Sequence, residues 1–218
     1  MAGHDDAGPA DLVRAARSAG VTDERVLAAM LAVPRDAFVP PAYAEAAYAN
    51  QPLPIPHHQV TTQPSLSALM IAALGLAGGE RVLEVGTGYG YQTALLAQVA
   101  AYVVSVERWP DIAGQARRNL RARGVRNAEV VTGDGTRGYP ALAPYDAVLV
   151  SAAFPRVPAP LAEQLRAGGR LVQPVGPGGR DEVMLFGRQP DWLAPLRRVA
   201  PASFVRLYGT FGFPDPPA

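Results

Sequence analysis

Apolar and polar positions follow two rhythms along this chain, and the switch between them is sharpest over residues 81–93. Val82, Leu83 and Val85 form a short apolar run that fits a parallel strand buried on both faces. Gly86, Gly88 and Gly90 interrupt it, and from Tyr91 onward Ala94, Leu95, Leu96 and Val99 recur at helical spacing. The glycines therefore sit at a strand-to-helix turn, where unpaired backbone N–H groups face a small polar or charged ligand.

The same rhythms divide the rest of the chain. Residues 11–19 and 22–32 read as two short helices, with Gly20 as a stop and Thr22 as an N-cap, before Pro34, Pro40 and Pro41 break the pattern. Residues 50–64 hold four prolines and little periodicity, which predicts an extended loop stiffened by its own composition. Residues 65–74 form an apolar helix closed by Gly75, and Tyr102-Val-Val-Ser-Val106 is a second strand ending in Glu107. A helix over 110–123 follows, its Arg117, Arg118, Arg121 and Arg123 read as a solvated face. Strands over 129–132 and 146–150 flank the glycine-rich Gly133-Asp-Gly-Thr-Arg-Gly138. A helix over 158–166 stops at Gly168-Gly169, and a strand runs over 170–175. Residues 182–187 and 203–213 are apolar runs with no strong helix between them, so the sheet is expected to end in antiparallel strands.

This alternation predicts an α/β, doubly wound and mostly parallel sheet behind a helical N-terminal preface. Residues 1–64 supply the preface and a substrate loop of the same domain, 65–213 the core, and 214–218 a disordered tail after a frayed start at the other end.

Composition narrows the partners. With 218 residues, 20 Lys plus Arg against 19 Asp plus Glu, and a net charge of +1, no broad field favours nucleic acid or an anionic membrane. No cysteine is present, which excludes disulfides, thiol nucleophiles and cysteine metal sites. The polar, acidic start does not read as a secretion signal and no apolar window is long enough to span a membrane, so a cytoplasmic location is expected.

The glycine spacing is G-x-G-x-G with a bulky Tyr91 after it, unlike the dinucleotide fingerprint G-x-G-x-x-G. Glu107 lies 23 residues after Glu84, where a carboxylate either ends a strand in solvent or accepts hydrogen bonds from a ribose diol. His57 and His58 are adjacent in a stretch read as extended, point to opposite sides and lack a third ligand, so no metal site is expected. A hydrolase finds neither a G-x-S-x-G elbow nor an acid partner for the three histidines.

Several ordered blocks resemble the protein-L-isoaspartate O-methyltransferases, within the S-adenosylmethionine-dependent methyltransferases. They are Val33-Pro-Arg-Asp-Ala-Phe-Val39, Leu53-Pro-Ile55, Val82-Leu-Glu-Val-Gly-Thr-Gly-Tyr-Gly-Tyr-Gln92, Val104-Ser-Val-Glu107, Gly133-Asp-Gly135, Ala143-Pro-Tyr-Asp-Ala147 and Gly168-Gly-Arg-Leu-Val172. The resemblance implies a seven-stranded Rossmann-like methyltransferase sheet. It also implies that Gly86, Thr87, Gly88, Tyr89 and Gly90 wrap the methionine end of S-adenosylmethionine, Glu107 holds the ribose hydroxyls, and Asp134 and Gly135 flank the adenine. Glu84 either orients the cofactor's amino group or bonds loop amides as a structural carboxylate.

The family's substrate loop, Ile-Gly-x-Gly-Gln-Thr-Ile-Ser, corresponds to Ile55-Pro-His-His-Gln-Val-Thr-Thr62, which puts Thr62 at the active-site serine. His57, His58, Gln59, Val60 and Thr61 would then meet substrate together with Val205 and Arg206, where the family's Val-Pro-Leu reads Val205-Arg-Leu207. Pro56 and His58 replace glycines, and Val60 a threonine, so every departure falls on the acceptor side.

The expected reaction is methyl transfer from S-adenosylmethionine to a free carboxylate, the α-carboxyl of L-isoaspartyl residues in damaged proteins, by a monomer that needs neither nucleic acid nor membrane. The alternatives are a carboxyl methyltransferase of the same fold acting on a modified peptide or natural product, a non-catalytic cofactor-binding adaptor, and, furthest off, an NAD-dependent dehydrogenase.

Overall fold

A computed structural model describes residues 7–215; the expected frayed start and the last three residues of the expected disordered tail lie outside the described residues. The N-terminal helices are α1 (Pro9–Ser18) and α2 (Glu24–Ala32). Asp23, not Thr22, caps α2, its carboxylate accepting from the amides of Arg25 and Val26. Aspartate satisfies the free amides of a first turn at least as well as threonine does, and only residue 23 stands in register to reach them.

The proline-rich stretch is not simply extended. β1 (Pro54–Ile55) and β2 (Gln59–Val60) pair antiparallel, and the Gln59 amide donates to the Pro56 carbonyl at 3.2 Å. His57 and His58 turn the chain with φ of 59° and 55°, a left-handed geometry in which histidine is among the more tolerated non-glycine residues. The side chains therefore do not alternate as the extended reading requires. His58 takes this geometry at a position where the resemblance places glycine.

α3 (Pro64–Leu74) ends on Gly75 in the left-handed region. There follow β3 (Arg81–Val85), α4 (Tyr91–Val99), β4 (Tyr102–Glu107), α5 (Pro110–Ala122), β5 (Ala128–Thr132), β6 (Tyr145–Val150), α6 (Ala159–Glu163), β7 (Leu165–Val175), β8 (Asp181–Arg188) and β9 (Leu193–Ala202). Two boundaries depart from the sequence reading. α6 is only five residues long and stops at Glu163 instead of 166, and β7 starts at Leu165 and runs through Gly168 and Gly169, because Leu165 already pairs with Tyr145 on β6. The last strand is β9 rather than 203–213, whose Arg206, Tyr208 and Phe213 make only isolated bridges. Pro195 and Pro201 disguise β9, yet an edge strand tolerates residues that cannot donate to a ladder.

The seven-stranded sheet has the order β5-β4-β3-β6-β7-β8-β9, parallel from β5 to β7 and antiparallel beyond. Alternate strand residues face different cores. Val82, Val103 and Leu149 pack with Leu12, Met30, Met70 and Leu95 from the helices, while Leu83, Val104, Val148 and Val150 pack with Leu161 and Leu207. Strand order, which runs outward from β3 through β4 to β5, switches to the other side of β3 at β6, and this switch between two parallel strands opens a crevice at their carboxyl ends. No helix among the described residues is long and apolar enough to cross a membrane.

Candidate active site

The crevice is a cleft of about 910 Å³ including its open mouth, within the range of small-molecule sites. Its wall includes Gly86, Thr87, Gly88 and Tyr89 from the β3–α4 loop, Glu107 and Trp109 from the end of β4, Gly135 after β5, and Ser151 after β6. Gly86, Gly88 and Gly90 all take positive φ, at 94°, 54° and 94°, so side-chain-bearing residues would strain the turn. The amides of Thr87, Tyr89 and Tyr91 find no partner among the described residues, leaving donors at the N-terminus of α4.

Glu107 is 6% exposed, so the strand does not end in solvent. One carboxylate oxygen accepts from the Gly88 amide at 3.0 Å, the other from the Trp109 amide at 3.1 Å. Burial pushes its carboxyl above the usual range, against the pull of the Gly88, Trp109 and Arg108 amides. The acid thereby fixes the glycine loop relative to the start of α5 and keeps lone pairs beyond those two bonds.

Glu84 does not line the cleft. It is 0% exposed and accepts from Thr93 Oγ1, Ser105 Oγ at 2.6 Å and Gln92 Nε2 at 3.1 Å. Burial pushes its carboxyl up to about 7 despite those donors. Gln92 also donates to Ser151 Oγ at 2.7 Å, and Ser105 Oγ meets Thr87 Oγ1 at 2.5 Å, so two short relays link the buried acid to the cleft wall. Gly90 too stands behind the wall, packed on Ala116 and Leu120.

Asp134 is another buttress. Its carboxylate accepts from the Thr136 amide, the Thr136 hydroxyl and the Thr210 amide at 2.9, 2.6 and 2.8 Å. Burial raises its carboxyl, but the Thr136 and Thr210 bonds outweigh that and leave it below its usual value. Gly135 is the residue of this pair that reaches the cleft, where a Cβ would sit 2.4 Å from Val85 Cγ1.

On the acceptor side, Gln59, Val60, Thr61, Thr62, Val205 and Arg206 line the same cleft, whereas His57 and His58 form the hairpin tip outside its wall. The two threonines differ. Thr61 Oγ1 accepts from the Leu53 amide at 3.0 Å and from Arg35 at 3.1 Å. The Thr62 hydroxyl makes no hydrogen bond among the described residues.

Arg35 stands in the sequence only within the Val33–Val39 block, yet it holds this loop. Its guanidinium is buried and donates to the carbonyls of Ala47, Ala49 and Gln51 as well as to Thr61. Desolvation lowers it to about 10, which leaves it charged at neutral pH. Gln92, likewise, stands in the sequence only as the end of the glycine block, and Trp109 and Ser151 fall outside every motif; the closeness of Trp109 to Glu107 is the one signal for them.

Buried polar atoms without partners among the described residues include Ser67 Oγ, Tyr91 OH, Gln92 Oε1 and Trp109 Nε1, all on residues of the cleft. Such groups are costly unless a ligand or water satisfies them. Together with an acid, free amides and a close-approach glycine, this donor and acceptor set fits S-adenosylmethionine.

The sequence model of the family described as protein-L-isoaspartate(D-aspartate) O-methyltransferase matches residues 8–211. This chain belongs to that family. A protein-L-isoaspartate O-methyltransferase of Methanoculleus marisnigri is 53% identical over 199 residues, which is 90% of this chain and 89% of the relative. A relative of the same name from Anaeromyxobacter dehalogenans is 48% identical over 190 residues, covering 86% and 91%. A solved protein-L-isoaspartate O-methyltransferase superposes with a TM-score of 0.82 over 94% of this chain and 67% of that one, at 31% identity. A Plasmodium falciparum chain solved with S-adenosyl-L-homocysteine shares the fold, with a TM-score of 0.76 at 21% identity over 92% and 98%. The isoaspartate methyltransferase frame thus extends over nearly the whole chain, including the hairpin whose sequence departs from it.

Proposed function

We propose that this chain transfers the methyl group of S-adenosylmethionine to the α-carboxylate of L-isoaspartyl residues in damaged proteins, as the names of its relatives describe for them. One observation carries the reading: the unengaged Thr62 hydroxyl shares a cleft with the glycine loop and with Glu107.

S-adenosylmethionine supplies an electrophilic methyl group on a sulfonium. The amides of Thr87, Tyr89 and Tyr91 would receive its carboxylate end, Gln92 Oε1 can accept from its ammonium, Glu107 would take the ribose hydroxyls and Gly135 would face the adenine. Glu84 and Asp134 act behind them, through Gln92 and through the 208–211 segment.

The acceptor carboxylate needs no base, since its reference pKa is about 4 and it is ionised at neutral pH. The cleft agrees with that demand, because Glu107 is the one carboxylate on its wall and backbone amides hold it. Thr62 instead donates to the acceptor and fixes its direction of approach. Opposite charges vanish as the methyl moves, so exclusion of water by the hairpin favours reaction. The near-neutral charge supports an acceptor other than nucleic acid or an anionic membrane, and a peptide met by a monomer in the cytoplasm completes the reading.

Aged protein incubated with donor labelled in its methyl group tests the reading. Label should enter as a base-labile ester and leave without enzyme help as the ester closes to a succinimide. Stable label, or none, contradicts it.

A further inference from the structure

We infer that Arg206 makes this site selective for peptides that carry a second carboxylate near the isoaspartyl residue; the inference rests on the acceptor reading above. Arg206 lines the same cleft as Thr62. Its Nε donates to the Pro177 carbonyl at 3.0 Å, and its guanidinium carbon stands 5.2 Å from the centre of the Phe213 ring. Its stem lies against Gly178, where a Cβ would come within 2.7 Å of Arg206 Cγ. Backbone, ring and glycine thus hold the side chain in place, so little rotamer freedom remains to be lost on binding.

The fork itself is available. Arg206 has no carboxylate partner among the described residues, and its one hydrogen bond leaves the terminal Nη groups uncommitted. Asp181, near in the chain to Pro177 and Gly178, is not its counter-ion, since its two oxygens accept from the amides of Gly178, Gly179 and Phe204. Phe213 meets Phe154 edge-on with ring centres 5.0 Å apart, and Arg156, also without a carboxylate partner among the described residues, lies over Phe154. Two arginines therefore mount one aromatic pair beside the acceptor half of the cleft. A fixed planar fork suits two-point recognition of a carboxylate.

That carboxylate is not the methyl acceptor. Transfer consumes the acceptor's negative charge, so a cation paired to it would hold the ground state more tightly than the transition state and slow the step. The guanidinium helps only by gripping a different acidic group of the same peptide. Because Arg206 is exposed, solvent screening keeps the effect modest.

The backbone allows a direct test. The bridge to Ala153 uses the Val205 carbonyl and the Leu207 amide, both at 2.8 Å, and leaves the amide of residue 206 out of the ladder. Arg206→Pro, which restores the Val-Pro-Leu of the resemblance, therefore costs no backbone hydrogen bond and loses only the side-chain bond to Pro177, and Arg206→Gln removes the charge while keeping a polar side chain.

Isoaspartyl peptides identical except for Glu, Gln or Lys at the positions two residues to either side would be compared by kcat/KM. The Glu-to-Lys ratio should be about five- to tenfold in the wild type at low salt, shrink at raised salt, and fall towards one in both variants. No discrimination by the wild type, or an unchanged ratio in the variants, overturns the inference. If no isoaspartyl peptide is methylated, the acceptor reading itself fails. Fluorescence anisotropy of the labelled peptides with S-adenosylhomocysteine present then decides the remainder. Tighter binding of the Glu peptide by the wild type alone upholds a carboxylate subsite at Arg206, and equal binding overturns it.

Discussion

The imidazole of His57 lies flat on the indole of Trp109, with ring centres 3.9 Å apart and planes 5° from parallel. The same ring's Nε2 meets Asp111 at 3.0 Å. The tip of the acceptor hairpin is thereby fastened to the start of α5, and Trp109 is the residue whose amide holds Glu107. Donor and acceptor halves of the cleft share one contact, so a change in the hairpin should be felt at the cofactor.

His57→Ala should weaken S-adenosylhomocysteine binding by about two- to tenfold, the worth of one stacked aromatic pair. Isothermal titration calorimetry reads this directly. An unchanged Kd removes the stack from any role in holding the donor pocket.

The adjacent threonines should separate cleanly. Thr62→Val should lower kcat about ten- to a hundredfold, with cofactor Kd and melting temperature near those of the wild type. Thr61→Val instead leaves the Leu53 amide and Arg35 unsatisfied and should cost about 1–3 kcal/mol of stability. Denaturant titration and steady-state kinetics on both variants distinguish the two; full turnover by Thr62→Val takes that residue out of the reaction.

Glu107→Ala should reduce cofactor affinity about ten- to a hundredfold, because the loop loses the acceptor that pins Gly88 and Trp109 while the ribose loses its own. Thermal shift with S-adenosylhomocysteine would show it as a lost stabilisation. A variant that is still strongly stabilised would place the ribose elsewhere.

Glu84 sets a pH dependence of stability. Its folded-state value of about 7 lies above the 4.5 of a free carboxyl, so the folded protein binds the extra proton more tightly than the unfolded one. The stability this contributes is fully present below about 4.5 and is lost as pH rises through about 7, amounting to about 3 kcal/mol at most. Wild type should therefore lose stability between pH 5 and pH 8 relative to Glu84→Gln, measured by urea titration. Parallel curves for the two proteins would mean that Glu84 is ionised at all these pH values.

The fold was legible where pattern and geometry share a cause. β3, the glycine turn and α4 could be read because a buried strand, a positive-φ loop and a helix each leave a periodic trace. β9 could not, since its two prolines and the charged Arg197 and Arg198 imitate a loop, and only the free edge of the sheet makes them acceptable. The turn at His57 and His58 was hidden for a similar reason: no pattern announces a left-handed histidine pair. Within the site, Glu107 was visible from its place after a strand. Its burial was not, nor was the division of labour between Thr61 and Thr62, because both depend on Arg35 and the 47–51 segment folding over the loop.

The central claim is that the acceptor oxygen belongs to an isoaspartyl α-carboxyl brought to Thr62 beside the donor pocket. Paired synthetic peptides, one isoaspartyl and one with the ordinary aspartyl linkage at the same position, test it when each is incubated with methyl-labelled S-adenosylmethionine and the pure protein. Label should enter the isoaspartyl peptide, lie on its α-carboxyl by fragmentation, and be absent from the aspartyl twin. Equal labelling of the two, or none in either, would contradict the account.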